Sequence, residues 1–340
     1  MTSISETYTQ ANDYIINQTE IGHFSGSILI ARHGDVILNK GYGMANLEHE
    51  IPNTPQTKFR LGSTSKPFTA LAILQLQEQG LLSIYDSIDR FLPDYPNGHN
   101  VTLHHILTHT SGIPNFTQLP DYFEFKGVYS RPENIVNRFK NLPLEFTPGD
   151  QFKYSNSGYV LLAHIVERIS KERFGDFLYK HIFAPLNMHN SGCDNHKTIL
   201  KNRASGYEVD ENRNIVNCEF IDMSIPTGGG NLYSTVEDLY LFDRGLYTDK
   251  IINTASLDLM HNSFVTSSQY NASYGYGWFI ADDKFGNTSK KRIGHGGGIY
   301  GFKSEFNRYV NDDAVVIVLS NISITPKEKI AFDLAEIVLT

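Results

Sequence analysis

Phe59-Arg60-Leu61-Gly62-Ser63-Thr64-Ser65-Lys66-Pro67-Phe68-Thr69-Ala70 reads as a loop that runs into the first turn of a helix. Ser63 and Lys66 are three residues apart, so on a helix they share one face and an amine can reach a hydroxyl. A serine hydroxyl attacks carbonyls poorly until a neighbouring base takes its proton, and a lysine serves as that base only where burial or nearby positive charge keeps it partly neutral. The continuation supplies the burial. Phe68, Ala70, Leu71, Ala72, Ile73, Leu74 and Leu76 leave almost no polar face, which places this helix inside a large protein. Pro67 falls in the first turn, where its missing N–H has no partner to lose, and Gly80 is a reasonable stop. Ser65 is a competing nucleophile, but the residue three places on is Phe68, so Ser63 is the better candidate.

Outward from this stretch the texture changes twice. Residues 5–20 carry a helical pattern, with Tyr8, Ala11, Tyr14, Ile15 and Ile16 on one side. Ser27–Ala31 and Val36–Lys40 then alternate with period two around Arg32-His33-Gly34-Asp35, the mark of a hairpin. Beyond Gly80 the chain is helical and loop-rich, with a short helix broken by Gly112 and Pro114 expected in Leu103–Pro114 and further helices at about 131–140, 157–172 and 238–247, the last behind a capping box at Ser234-Thr235-Val236-Glu237. From Tyr274 the strand signal returns in Tyr276–Ile280, Lys291–Gly294, Phe302–Phe306 and Ala314–Leu319, before a closing helix over 326–338. Strands at both ends around a helical middle predict an α+β protein. Its antiparallel sheet is built from both chain ends and flanked by helices, with an inserted, mostly helical lobe. The expected division is 1–80 with 270–340 for the sheet lobe and 81–269 for the helical one.

Composition bounds the function. The 340 residues are 40% hydrophobic and 19% charged, with a formal charge of -8, which is ordinary for a globular protein and speaks against nucleic acid or an anionic membrane surface as the main partner. No apolar run approaches the roughly 20 residues that span a bilayer, and the first 25 residues lack a secretory leader. The chain as it stands is therefore expected to be soluble and cytoplasmic, or extracytoplasmic if a leader had been removed. Cys193 and Cys218 are expected to be plain thiols. The 13 histidines contain no H-E-x-x-H, so neither a catalytic metal nor another cofactor is expected. G-x-S-x-G and P-loop signatures are absent too.

Two further stretches carry chemistry. In Pro148–Tyr159, Tyr154 and Asn156 flank one residue just before a helix. A phenol beside an ammonium loses its proton more easily, which would provide a base for serine attack and an acid for the leaving group. Alone, the pair is better explained as a packed aromatic and an N-cap. In Gly294-His295-Gly296-Gly297-Gly298-Ile299-Tyr300-Gly301-Phe302, closely spaced glycines let a strand edge approach a substrate backbone, and an exposed N–H there can complete an oxyanion hole. A glycine-rich hairpin with an exposed histidine is the plainer alternative.

In order and spacing, the three stretches resemble the serine β-lactamase and penicillin-binding protein superfamily, which combines S-x-x-K, Y-x-N and a K-T-G-type motif. With H-x-G in the third place, the chain is similar to the class C β-lactamase-related hydrolases, which include carboxylesterases, D-amino-acid peptidases and low-molecular-weight penicillin-binding proteins. Leu107–Gly112, Gly229–Leu239 and Val318–Asn321 strengthen the resemblance, which runs from about residue 20 to the end.

The resemblance implies Ser63 as acylated nucleophile, Lys66 as its proton partner and Tyr154 as general base and acid. It implies Asn156, Gly297 and Gly298 on the substrate, and the N–H groups of Ser63 and Gly298 as oxyanion hole. His295 is implied as the replacement for the motif's lysine, keeping Tyr154 ionised or binding a carboxylate. The implied partners are small esters, amides or D-peptides, with β-lactams as acylating ligands. A histidine is neutral much of the time near pH 7, which favours esters or peptides over penicillins. The alternative is a penicillin-binding or peptidoglycan-recognising protein that deacylates slowly or not at all, or a weak β-lactamase. Phe116, Tyr122, Phe123, Phe125 and Tyr129 make one stretch of the middle region aromatic, as an acyl pocket or a packed lid would be.

Overall fold

Period-two apolar stretches at both ends of the chain pair with each other. The computed structural model, which describes residues 3–340, contains an eight-stranded antiparallel sheet. Its order is Val265–Ser267, Ala272–Tyr274, Phe279–Phe285, Thr288–Ile299, Phe302–Tyr309, Ala314–Ser320, Gly26–Arg32 and Asp35–Tyr42. The last strand in sequence thus lies against the first, with Gly26 opposite Ser320 and Ile30 opposite Val316. Residues between 43 and 264 give this sheet no strand.

Both central strands are buried on two faces, which explains why Ala314–Leu319 is apolar at every position. Side chains alternate across a strand. Ile28, Ile30, Val316 and Val318 pack under Ile4–Glu20 and Lys327–Leu339. Leu29, Ala31, Val315, Ile317 and Leu319 face the larger core that holds the Lys66–Glu78 helix. Burying a side chain of this size contributes about 1.5–3 kcal/mol. Helix Ile4–Glu20 is started by Ser3, which accepts from Glu6 N while Glu6 reaches back to Ser3 N.

The Lys66–Glu78 helix is buried at every position from Lys66 to Leu76. Phe68 stacks on Phe242 with ring centres 4.1 Å apart, anchoring it to the helix Val236–Gly245. On its other side lies Asn156–Ser170, which Gly158 lets approach Ile106. Among the described residues no helix is long and apolar enough to cross a membrane.

Three expectations need correction. The cap before Val236 is Thr235, which accepts from Asp238 N, one position later than the Ser234 box. Tyr276–Trp278 precede the strand that begins at Phe279. The glycines 294–298 lie within the strand Thr288–Ile299, and the turn is made by Tyr300 and Gly301. Without side chains to fill one face, that strand lost the alternation that marks the others.

Candidate active site

Gly62–Ser65 forms a single 3₁₀ turn ahead of the Lys66 helix. Gly62 has φ +53°, a left-handed conformation that disfavours any residue with a β-carbon. The turn is held against the glycine strand: Thr64 donates to the His295 carbonyl at 3.0 Å, and Ser304 donates to the Leu61 carbonyl at 2.6 Å. Ser63 is left half-exposed at the end of the buried helix.

Lys66 Nζ lies 3.1 Å from Ser63 Oγ, 2.9 Å from Asn156 Oδ1 and 2.8 Å from the Gly229 carbonyl. Burial holds its pKa well below the ordinary lysine value, because a desolvated ammonium is costly. A neutral amine has two hydrogens and one lone pair. The Asn156 amide oxygen and the Gly229 carbonyl can only accept, so they take the hydrogens and leave the lone pair to the Ser63 hydroxyl. The serine is thereby paired with a base.

Asn156 opens its helix as the first residue, while Ser155 occupies the cap position; its side chain is spent on Lys66. Tyr154, two residues earlier, brings its ring to 4.7 Å from Lys66 Nζ. Its hydroxyl is buried without a well-formed hydrogen bond. Burial raises its pKa well above the ordinary phenol value, and the nearby Ser63 offsets only part of that. This departs from the expected phenolate: burial disfavours the charged form of both groups, pushing the Lys66 pKa down and the Tyr154 pKa up.

His295 also differs from expectation. It is buried, with Nδ1 2.7 Å from the Gly296 carbonyl and Nε2 3.2 Å from the Tyr274 hydroxyl. An Nδ1–H donor leaves Nε2 to accept from Tyr274. Burial is the main cause that pushes its pKa well below the usual histidine value. Its ring centre is 6.3 Å from that of Tyr154. A neutral ring turned toward Tyr274 provides no charge for the phenol or for a substrate carboxylate.

The glycines serve close approach. A β-carbon on Gly297 would come within 2.0 Å of the Leu61 carbonyl and 3.0 Å of Ser63 N, and one on Gly62 within 2.8 Å of Gly298 N. Gly297 is buried beneath the serine turn, while Gly298 and Ser63 share a cleft of about 340 Å³. Phe116, Tyr122, Val160, Ile221 and Phe302 give this cleft an apolar wall. Phe123 and Tyr129, expected with Phe116, are largely exposed instead.

Several contributors escaped sequence reasoning. Gly229 belongs to a conspicuous run, yet only its backbone oxygen acts, and a carbonyl has no signature in the sequence. His109 is buried with its ring centre 4.2 Å from that of Tyr154, and its Nδ1 accepts from Ser155 N at 3.2 Å. Tyr159 places its ring 5.3 Å from Lys66 Nζ. Both lay in recognisable stretches, but their contacts cross from one segment to another. Among the described residues no group of three or more His, Cys, Asp or Glu side chains is placed to hold a metal ion.

Known proteins share this arrangement of chain. A penicillin-binding protein of Bacillus subtilis (strain 168) is 32% identical over 319 residues, spanning 88% of this chain and 68% of the relative. The octameric penicillin-binding protein homologue from Pyrococcus abyssi superposes with a TM-score of 0.87 at 30% identity, covering 97% of this chain and 77% of that one. D-amino acid amidase from Ochrobactrum anthropi SV3 has the same fold, with a TM-score of 0.85 at 22% identity over 99% of each chain. The family model described as Beta-lactamase matches residues 12–339, and the chain therefore belongs to the Beta-lactamase family.

Proposed function

We propose that the protein is a serine hydrolase that acts through a covalent acyl-enzyme on Ser63, cleaving small esters or amides, D-amino-acid peptides among them. The observation that carries this reading is the three-partner arrangement of Lys66 Nζ, which aims a lone pair at the Ser63 hydroxyl. As Oγ bonds to the substrate carbonyl carbon, its proton passes to Lys66 and the carbonyl π electrons move to oxygen. The N–H groups of Ser63 and Gly298 flank the place where that oxyanion forms, and such donors are worth roughly 10²–10³ in rate. Ser63 sits at the start of its turn, where the first N–H groups have no helical partner.

Collapse of the tetrahedral adduct re-forms the carbonyl and breaks the bond to the leaving group. Tyr154, protonated at rest, delivers a proton to that group and is reprotonated from Lys66, which regains its neutral form. Water then repeats the sequence on the ester carbonyl and frees Ser63.

Intact-protein mass spectrometry after incubation with a fluorophosphonate or a β-lactam tests the first half. The expected result is one adduct, mapped to Ser63 and lost in Ser63→Ala, with turnover of a short-chain aryl ester lost in parallel. Full turnover by Ser63→Ala would refute the reading. The names of the B. subtilis and P. abyssi proteins favour a second one, in which the same cleft acylates and then holds its ligand. Stoichiometric labelling without deacylation separates it from a hydrolase.

A further inference from the structure

The segment Leu107–Gly112 supplies no reacting group, yet its histidine is built into the site. His109 is 2% exposed and has φ +58°, a left-handed backbone that a residue with a β-carbon adopts only where its surroundings fix it. It grips the chain on both sides of Tyr154: its carbonyl accepts from Lys153 N at 2.9 Å and its Nδ1 from Ser155 N at 3.2 Å. Its ring lies against the Tyr154 ring, with centres 4.2 Å apart and planes 34° from parallel. The rings of Tyr274, Tyr159 and Phe152 pack around it at 4.8, 5.1 and 5.9 Å.

Packing alone does not explain a histidine here. A ring nitrogen that accepts a backbone N–H carries no proton, so the proton of the neutral imidazole is on Nε2. That nitrogen is buried with no hydrogen-bond partner among the described residues. Phenylalanine would stack as well and would bury no unpartnered donor. What only the imidazole adds is the acceptor for Ser155 N. Burial, the main cause of a pKa well below the usual histidine value, favours the uncharged ring that this bond requires.

Resting on the hydrolase reading above, we propose that His109 is a positioning residue for the proton donor: it grips the backbone on either side of Tyr154 and stacks on its ring, which fixes the phenol for delivery of a proton to the departing group. As the bond from the acyl carbon breaks, the leaving oxygen or nitrogen keeps its electron pair and takes the Tyr154 proton, and Lys66 returns to the phenolate the proton it took from Ser63. Such a transfer needs hydrogen-bond reach in the transition state, and a misplacement of about 1 Å can cost roughly 10²-fold. His109 does not line the cleft, so it acts through Tyr154 alone.

The test pairs two esters with one acyl group, ethyl phenylacetate and 4-nitrophenyl phenylacetate, read by kcat/KM. Ethoxide needs a proton to depart, and 4-nitrophenolate does not. His109→Phe should lose about 10- to 100-fold with the ethyl ester, part of the roughly 10²–10⁴ that a positioned acid supplies, and several-fold at most with the nitrophenyl ester. Tyr154→Phe should show the same selectivity, and adding His109→Phe to it should cost little more, since both act on one proton transfer. His109→Asn keeps an acceptor and tolerates a left-handed backbone, so it should recover much of the ethyl ester rate. Equal losses on the two esters in His109→Phe, or no recovery in His109→Asn, would overturn the inference. If the native protein turns over neither ester, or Tyr154→Phe loses neither, it is the hydrolase reading that fails, and the grip on Tyr154 is read directly. Amide hydrogen exchange at Ser155 should then be at least about tenfold faster in His109→Phe than in the native protein, and equal rates would refute the inference.

Discussion

Gly297→Ala tests whether the serine turn and the glycine strand must lie as close as they do. The new methyl would come within 2.0 Å of the Leu61 carbonyl oxygen, 2.5 Å of Ser304 Oγ and 3.0 Å of Ser63 N. Two of these atoms are backbone, so the strand or the turn has to retreat by roughly 1 Å, a displacement that can cost about 10²-fold in rate when it separates reacting groups. Overpacking of this kind also costs about 1–3 kcal/mol of stability.

Gly296→Ala is the informative comparison. Its methyl intrudes just as far, to 2.0 Å from Lys327 Nζ and 2.3 Å from Glu305 Oε2, but these are side-chain ends on the face away from Ser63. Stopped-flow acylation by a fluorophosphonate, with thermal unfolding alongside, separates the two. Gly297→Ala should lose both rate and stability, and Gly296→Ala chiefly stability. Acylation by Gly297→Ala within about threefold of native, equivalent to under 1 kcal/mol, would show that the close approach does not position the nucleophile.

Lys66→Met should lower acylation by about 10²–10⁴, the range of general-base catalysis, as read by the same labelling. The lysine's native pKa lies below its unfolded value of 10.5, so between the two the unfolded chain holds a proton that the native one lacks, and stability rises with pH. Lys66→Met should remove that rise in urea titrations from pH 7 to 10.5, and acylation by the native protein should fall as acid protonates the amine. His261, buried beside Trp278 with its pKa lowered to about 3, should drain stability as pH drops from 6.5 toward 3; His261→Phe should flatten that acid limb in denaturant melts. Asp243 bonds Arg308 Nε at 2.7 Å with both side chains almost fully buried, so Asp243→Ala should cost about 3–5 kcal/mol by leaving the guanidinium unpaired. Replacing both by Leu and Met should recover much of that in calorimetry.

The α+β fold was legible because apolar period is a local property. The run Ala314–Leu319 and the all-round apolar helix after Lys66 announce their burial residue by residue. What the chain hides is charge state. Lys66 beside Tyr154 suggests an ammonium and a phenolate when the two are read as a pair, but the residues that desolvate them arrive from 107–109, 159, 229 and 274. Their combined effect disfavours the charged form of both groups. The position of His295 follows the same rule: its spacing in the motif is visible, whereas the Tyr274 hydroxyl that occupies its Nε2 comes from another strand. The roles given to Ser63, Lys66, Tyr154 and Gly298 are those the proposed chemistry assigns, and the closeness of Lys66 and Tyr154 to one another beside Ser63 is what makes that chemistry testable.

Because Gly26–Arg32 is hydrogen-bonded on one side by Ala314–Ser320, synthesis delivers the partner of that strand only after the whole region between them. A nascent chain that already carries Ser63, Lys66 and Tyr154 still lacks the glycine strand, and the segment that stitches that strand to the amino-terminal hairpin emerges later still. Such long-range pairing is slow and leaves open strand edges in the meantime. Nucleophilic competence should therefore appear abruptly, only after translation has passed residue 320. Ribosome-bound chains of graded length would switch from inert to probe-reactive over a narrow interval once the strand ending at Ser320 has emerged.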